Sequence, residues 1–147
     1  MRRMLGVLRD GTEPAEVQPV HGLADLPSLA AQMRRTGLGV TLDAPTGVHV
    51  PACVDLTTYR VVQESLTNVL KHGGPVAHVR VGIDDEVVTI EVTDDGGRAG
   101  GASLGAGHGL AGMRERLSLY GGSFEAGPRL GGGFRVLASL PRDASAS

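Results

Sequence analysis

Two runs of alternating apolar residues, separated by three acids, constrain this chain more than any other feature. Val79, Val81 and Ile83 share one face of an extended segment, and Val88, Ile90 and Val92 share one face of the next. Asp84-Asp85-Glu86 between them supplies the turn of a hairpin. Helical patterns lie before and after it. From Asp55 as cap, Leu56, Tyr59, Val62, Leu66, Val69 and Leu70 fall on one helical side, and the run stops at Gly73, Gly74 and Pro75. A second helix fits Leu110–Tyr120, with Gly121 as its stop, and a third follows Asp25 with Leu26, Leu29, Ala30 and Met33 inward. Leu38, Val40 and Leu42 alternate as a strand, with Val48 and Val50 continuing the pairing after a turn at Pro45–Gly47. Phe124 and Ala126, then Phe134, Val136, Ala138 and Leu140, give two closing strands around a turn at Gly127–Gly133. Helices interspersed among hairpins predict an α+β fold, a two-layer sandwich of one mixed sheet with helices on one face.

The ends are expected to differ from this body. Met1, Met4, Leu5 and Leu8 share a helical face too short to stand alone, so Met1–Arg9 reads as the last turns of a longer helix. Asp10 to Gly22, with Gly11, Pro14 and Pro19, reads as a linker. The expected organisation is therefore a helix end and linker over 1–22, one domain over 23–141 and a flexible tail over 142–147.

Composition narrows the function. A net charge of −2 offers no basic field for nucleic acid. No apolar run approaches the roughly 20 residues of a membrane span and no signal peptide opens the chain, so a cytoplasmic location is expected. The one cysteine, Cys53, has no partner for an internal disulfide and reads as a small hydrophobe. Lysine occurs once, at Lys71, and 14 of the 23 glycines fall between Gly96 and Gly133, where a backbone must bend or let a ligand approach closely.

Opposite the apolar side of the 55–72 helix, Arg60, Glu64, Asn68 and Lys71/His72 line up at helical spacing. One reading is a solvated face with an Arg60–Glu64 pair and a Glu64–Asn68 contact. The other is a site for a magnesium-bound phosphate chain. Mg²⁺ takes only one or two protein oxygens, and Asn68 could supply one. Glu64 could accept a proton from an attacking group, and Lys71 or His72 could meet phosphate oxygens. The second half of the chain favours the second reading. Asp94, in "TDDGGRAG", can accept a hydrogen bond from the exocyclic amine of adenine, and Gly96 leaves room for a flat ring. Guanine would instead turn a carbonyl oxygen towards that carboxylate. Arg98–Ala106 has the composition of a mobile loop, and "GAGHGL" places Gly105, Gly107 and Gly109 directly before a helix, where backbone N–H groups can hold phosphate.

These stretches together resemble the Bergerat ATP-binding fold of the GHKL superfamily, shared by sensor histidine kinases, DNA gyrase, a heat-shock chaperone and mismatch-repair ATPases. "YRVVQESLTNVLKH" resembles the family's N box, "DDGG" its G1 box and "GHGLAGMRERLSLYGG" its G2 box with the following helix. The first and last are similar in particular to two-component kinases whose partners are LuxR-type response regulators. The resemblance runs from about Leu23 to Pro141. It implies ATP and Mg²⁺ as ligands, Glu64 as the catalytic acidic residue, Asn68 as the magnesium-linked asparagine and Asp94 as the adenine-binding aspartate. Lys71, His72, Gly96, Gly105, Gly107, His108, Gly109 and Leu110 complete the implied nucleotide site. Two departures stand out: Arg98 occupies the usual second glycine of the G1 box, and Phe134 stands where relatives often carry threonine.

Such kinases carry their phosphorylated histidine on a dimerising helical hairpin. None of His21, His49, His72, His78 and His108 has that context, so the implied partners are acceptor helices of a parent kinase. The chain then reads as the catalytic fragment of a histidine kinase, unable to phosphorylate itself alone. Two alternatives keep the fold: an anti-sigma-factor-type serine kinase, and a nucleotide-binding module without catalysis, against which Glu64 argues.

Overall fold

The computed structural model describes residues 21–96 and 108–145. The expected helix end at Met1–Arg9, most of the linker, and the glycine-rich loop Arg98–Ala106 lie outside them. After a single 3₁₀ turn at Leu23–Asp25, the chain forms α1 (Leu26–Arg35), β1 (Gly39–Asp43), α2 (Ala52–His72), β2 (Val76–Ile83) and β3 (Val87–Asp94). Past the glycine-rich stretch come α3 (His108–Leu119), β4 (Ser123–Pro128) and β5 (Phe134–Pro141).

The strands make one five-stranded sheet in the order β1-β2-β3-β5-β4. Only β1 and β2 run parallel, as strands must when the connection between them is a helical crossover through α2. The other three pairings are antiparallel. The period of two puts Ala77, Val79 and Val81, then Val88, Ile90 and Val92, then Val136, Ala138 and Leu140 on one buried face. Against that face lie Leu26, Leu29 and Met33 of α1, Val54, Val61, Val62 and Leu66 of α2, and Met113 and Leu117 of α3. The opposite sheet face carries polar cross-strand pairs such as Arg135–Glu91 and Arg80–Asp43. The expected two-layer α+β sandwich is the observed fold.

Four local expectations are corrected. The long helix starts at Ala52 behind Pro51, not at Asp55. Asp55 serves another purpose: its Oδ1 accepts the Leu23 N–H at 2.8 Å, which ties the incoming chain to the helix. Val48 and Val50 form no strand, because the chain after β1 must travel from the sheet edge to the helix layer instead of turning back. Leu70, placed on the apolar side, is 42% exposed. Arg142–Ser145, expected in the tail, follows the body of the fold instead. The Arg142 N–H donates to the Glu86 carbonyl, Ala144 is buried, and the Cys53 thiol donates to the Ala144 carbonyl at 3.0 Å. Ala146 and Ser147 are outside the described residues.

Candidate functional site

Asp94 is the last residue of β3 and has the same parity as Val88, Ile90 and Val92, so its carboxylate faces inward and is 1% exposed. Burying a carboxylate is costly unless hydrogen bonds hold it. One oxygen is held: Oδ1 accepts the Gly96 N–H at 2.6 Å and the Gly74 N–H at 3.3 Å. The other, Oδ2, is buried with no hydrogen-bond partner. Unsatisfied buried acceptors are rare in folded proteins, and this one offers a strong acceptor to a ligand donor.

Glycine backbone forms the surroundings. A Cβ on Gly74 would enter the Gly96 carbonyl, and one on Gly133 would enter the Asp94 carbonyl. Gly96 and Gly133 also adopt φ of +77° and +88°, a region L side chains rarely enter. A Cβ on Gly73 would stand 3.1 Å from the orphaned Oδ2 itself. The C-terminal end of α2, the corner after β3 and the β4–β5 turn therefore meet backbone to backbone around one carboxylate. Arg129 of that turn adds a hydrogen bond from Nη1 to the Asp94 carbonyl, 3.0 Å.

The polar stripe of α2 runs towards this corner. Asn68 is half-buried, and its side-chain nitrogen is buried without a partner. A half-turn about the terminal torsion would exchange that nitrogen for the carboxamide oxygen, so the same position can serve a cation. Glu64 sits one turn earlier. Among the described residues it forms no ion pair with Arg60 and no hydrogen bond with Asn68, so the solvated-face reading loses both its contacts. Its carboxylate lies instead against the first turn of α3, in the space a Cβ on Gly109 would occupy. Only glycine at 109 allows this approach without displacing Glu64. Lys71 and His72 are exposed in the last turn of α2. Tyr59, which opens the same motif, belongs to the core; burial pushes its hydroxyl pKa up, Asp25 adds to that and Arg60 opposes it.

The structure thus brings Glu64 to Gly109, and Asp94 to Gly96. Leu110 is buried in the core, so its side chain supports α3 rather than facing a ligand. Gly105, Gly107 and the His108 side chain are outside the described part. Sequence reasoning missed Gly73, Gly74, Arg129 and Gly133. A signal existed for the first pair: one glycine suffices to end a helix, and two stand here. Among the described residues no group of three His, Cys, Asp or Glu could hold a metal. The fit to Mg²⁺ therefore rests on Asn68, with Glu64 nearby, and suits an ion that takes few protein oxygens and binds through phosphates.

Comparisons with known proteins bear on the family and the fold. Residues 54–144 match the family described as histidine kinase-, DNA gyrase B- and HSP90-like ATPases. The sensor histidine kinase YxjM of Bacillus subtilis is 37% identical over 125 residues, covering 82% of this chain and 30% of that protein. NarS, a sensor histidine kinase of Mycobacterium tuberculosis, is 37% identical over 120 residues, covering 76% of this chain and 27% of NarS. The histidine-protein kinase/phosphatase UhpB of Salmonella typhimurium is 32% identical over 146 residues, 97% of this chain and 28% of UhpB. The chain thus spans less than a third of the length of these curated relatives. In fold, it matches the histidine kinase domain of a blue-light-activated kinase from Erythrobacter litoralis with a TM-score of 0.66 at 24% identity, over 81% of this chain and 60% of that one. It also matches AdeS of Acinetobacter baumannii with a TM-score of 0.63 at 14% identity, over 84% and 66%. The chain belongs to the histidine kinase-, DNA gyrase B- and HSP90-like ATPase family, as an ATP-binding domain of the sensor histidine kinase kind.

Proposed function

We propose that this domain binds Mg-ATP and donates the γ-phosphoryl group to a histidine on the dimerisation helices of a parent kinase, for relay to a LuxR-type response regulator in the cytoplasm. The observation that carries this reading is the Asp94 carboxylate, buried with one oxygen fixed by two glycine amides and the other free. Adenine presents a donor to that free oxygen, and guanine presents an acceptor. Asn68 would hold Mg²⁺ through its carboxamide oxygen, and the ion would neutralise charge on the phosphates. Lys71, His72 and His108 are the side chains assigned here to the phosphates, together with the backbone amides of Gly105, Gly107 and Gly109. Leu110 anchors the first turn of α3 in the core. Residues 1–22 connect the domain to the acceptor helices.

In the transfer, an imidazole nitrogen of the acceptor attacks the γ-phosphorus. The bond from that phosphorus to the bridging oxygen breaks, and ADP leaves. The ring's surplus proton passes to the Glu64 carboxylate. Glu64 acts only as charge develops in the transition state, so its loss should spare nucleotide binding.

The test supplies the chain with a separate protein bearing the acceptor helix and with labelled ATP. Wild type should place acid-labile phosphate on the helix, and Glu64→Gln should do so about 10²- to 10⁴-fold more slowly with ATP affinity little changed. Acid-stable phosphoserine on the partner, or phosphorylation of the chain by itself, would overturn the reading.

A further inference from the structure

The face of the sheet away from the helices carries a hydrogen-bonded chain that the proposed chemistry does not use. His78 of β2 stands opposite Thr41 of β1 in the parallel register. Its Nδ1 lies 2.8 Å from the Thr41 hydroxyl, and its Nε2 lies 3.0 Å from Asp95 Oδ1. A single neutral tautomer satisfies both contacts: Nδ1 accepts from the hydroxyl, and Nε2–H donates to the carboxylate. Arg129 reaches the neighbouring residue, donating to the Asp94 carbonyl at 3.0 Å. His78 and Arg129 line the same outer cavity of about 320 Å³, together with Thr41, Asp43, Arg80 and Thr93. Neither reaches the inner face, where the Asp94 carboxylate lies.

We infer that His78 and Arg129 are positioning residues that grip the Asp94–Asp95 corner from behind and so hold the free Asp94 oxygen on its line to a bound purine. The inference rests on the reading of Asp94 as the adenine acceptor. Past the last ladder pair, Ala77 with Asp94, the corner has few side-chain contacts to fix it. Gly74, Gly96 and Gly133 meet it with backbone alone, and without side chains there is no interlocking to resist a shift. Beyond the glycine amides on Oδ1 and the end of the β2–β3 ladder, where Asp94 pairs with Ala77, three further hydrogen bonds hold it: the Asp95 N–H to the Val76 carbonyl at 3.2 Å, His78 to Asp95, and Arg129 to the Asp94 carbonyl. Two of the three come from the outer face. A hydrogen bond to a buried acceptor loses most of its strength once its angle opens, so small corner motions reach the ligand.

Arg80 provides an internal control. It lines the same cavity, but its only ion pair among the described residues is a long 3.9 Å contact to Asp43, remote from the corner.

The experiment measures ATP and GTP affinity by calorimetry, with a melting curve for each variant. His78→Ala and Arg129→Met should each weaken ATP binding by about 2- to 12-fold, the loss of one hydrogen bond's contribution, and lower the ATP-to-GTP ratio. His78→Gln, whose amide can still donate to Asp95, should recover most of the affinity. His78→Ala and Asp95→Ala combined should cost no more than either alone, because both remove the same bond. Arg80→Ala should bind ATP like wild type. Wild-type affinity in both His78→Ala and Arg129→Met, or additive losses in the double variant, would overturn the inference. Asp94→Asn separates the two levels. If it loses ATP while the outer-face variants keep it, only the inference fails. If it keeps ATP, the Asp94 reading itself fails.

Discussion

Replacing Asp94 by Asn tests the site with the least ambiguity, because the structure fixes how the new side chain must sit. In the wild type, Oδ1 accepts N–H groups from Gly96 and Gly74, while Oδ2 is buried and unpartnered. Asparagine has one oxygen. If it stays with the two amides, the NH₂ takes the place of Oδ2 and points a donor at the adenine amine. If the group flips, two backbone N–H groups face the NH₂ and lose their acceptor. The first arrangement forfeits fewer hydrogen bonds, so it wins. Adenine then loses one hydrogen bond to a charged acceptor, worth about 1.5–3 kcal/mol, which is about a 10- to 150-fold rise in Kd. The empty domain exchanges one unpartnered buried atom for another and sheds a buried charge, so its stability should change by less than about 1 kcal/mol. Guanine, whose carbonyl meets the new NH₂, should lose less, so the ATP-to-GTP ratio falls. Calorimetric titration with both nucleotides and a denaturation curve give all three quantities. An Asp94→Asn variant that bound ATP within about threefold of wild type would refute the reasoning, since nothing else in the arrangement replaces the lost acceptor.

Two further substitutions probe the corner and the hairpin. Gly74→Ala drives a Cβ into the Gly96 carbonyl, backbone against backbone, so the corner must move; ATP affinity should fall by at least about tenfold, at a stability cost of about 1–3 kcal/mol. Asp84 accepts the amides of Glu86 and Val87 at 2.7 and 2.8 Å, and these bonds, with Glu86 the larger cause, hold its pKa below the ordinary carboxylate value. A depressed pKa gives stability that is present above the unfolded value and is lost as pH falls through the folded one. Urea denaturation should therefore show Asp84→Asn less stable than wild type at pH near 7 and the gap closing below about pH 4.

The hairpin, the α+β layering and the inward parity of Asp94 were legible because each depends on local periodicity. Val88, Ile90, Val92 and Asp94 share a face by counting alone. Legibility ended where a residue's partner lies far along the chain. Asp55 has the look of a helix cap, yet its carboxylate holds Leu23, 32 positions away. Val48 and Val50 carry strand propensity, but β1 finds its partner across α2 instead of beside it. Gly74 and Gly133 read as a helix stop and a loose turn; their tight approach to Gly96 and Asp94 exists only once the sheet brings three loops together. The Glu64–Gly109 contact lay between two motifs seen separately, and only the packing of α3 beside α2 joins them.

The central claim is that one buried, half-satisfied carboxylate reads the purine while the α2 stripe handles the metal and phosphates. A crystal structure of the chain with Mg²⁺ and a non-hydrolysable ATP analogue tests it most directly. The account predicts the adenine amine within hydrogen-bond distance of Asp94 Oδ2, and the metal ion on the Asn68 side-chain oxygen. A nucleotide bound elsewhere, or an adenine in the site that leaves Oδ2 without a donor, would contradict it.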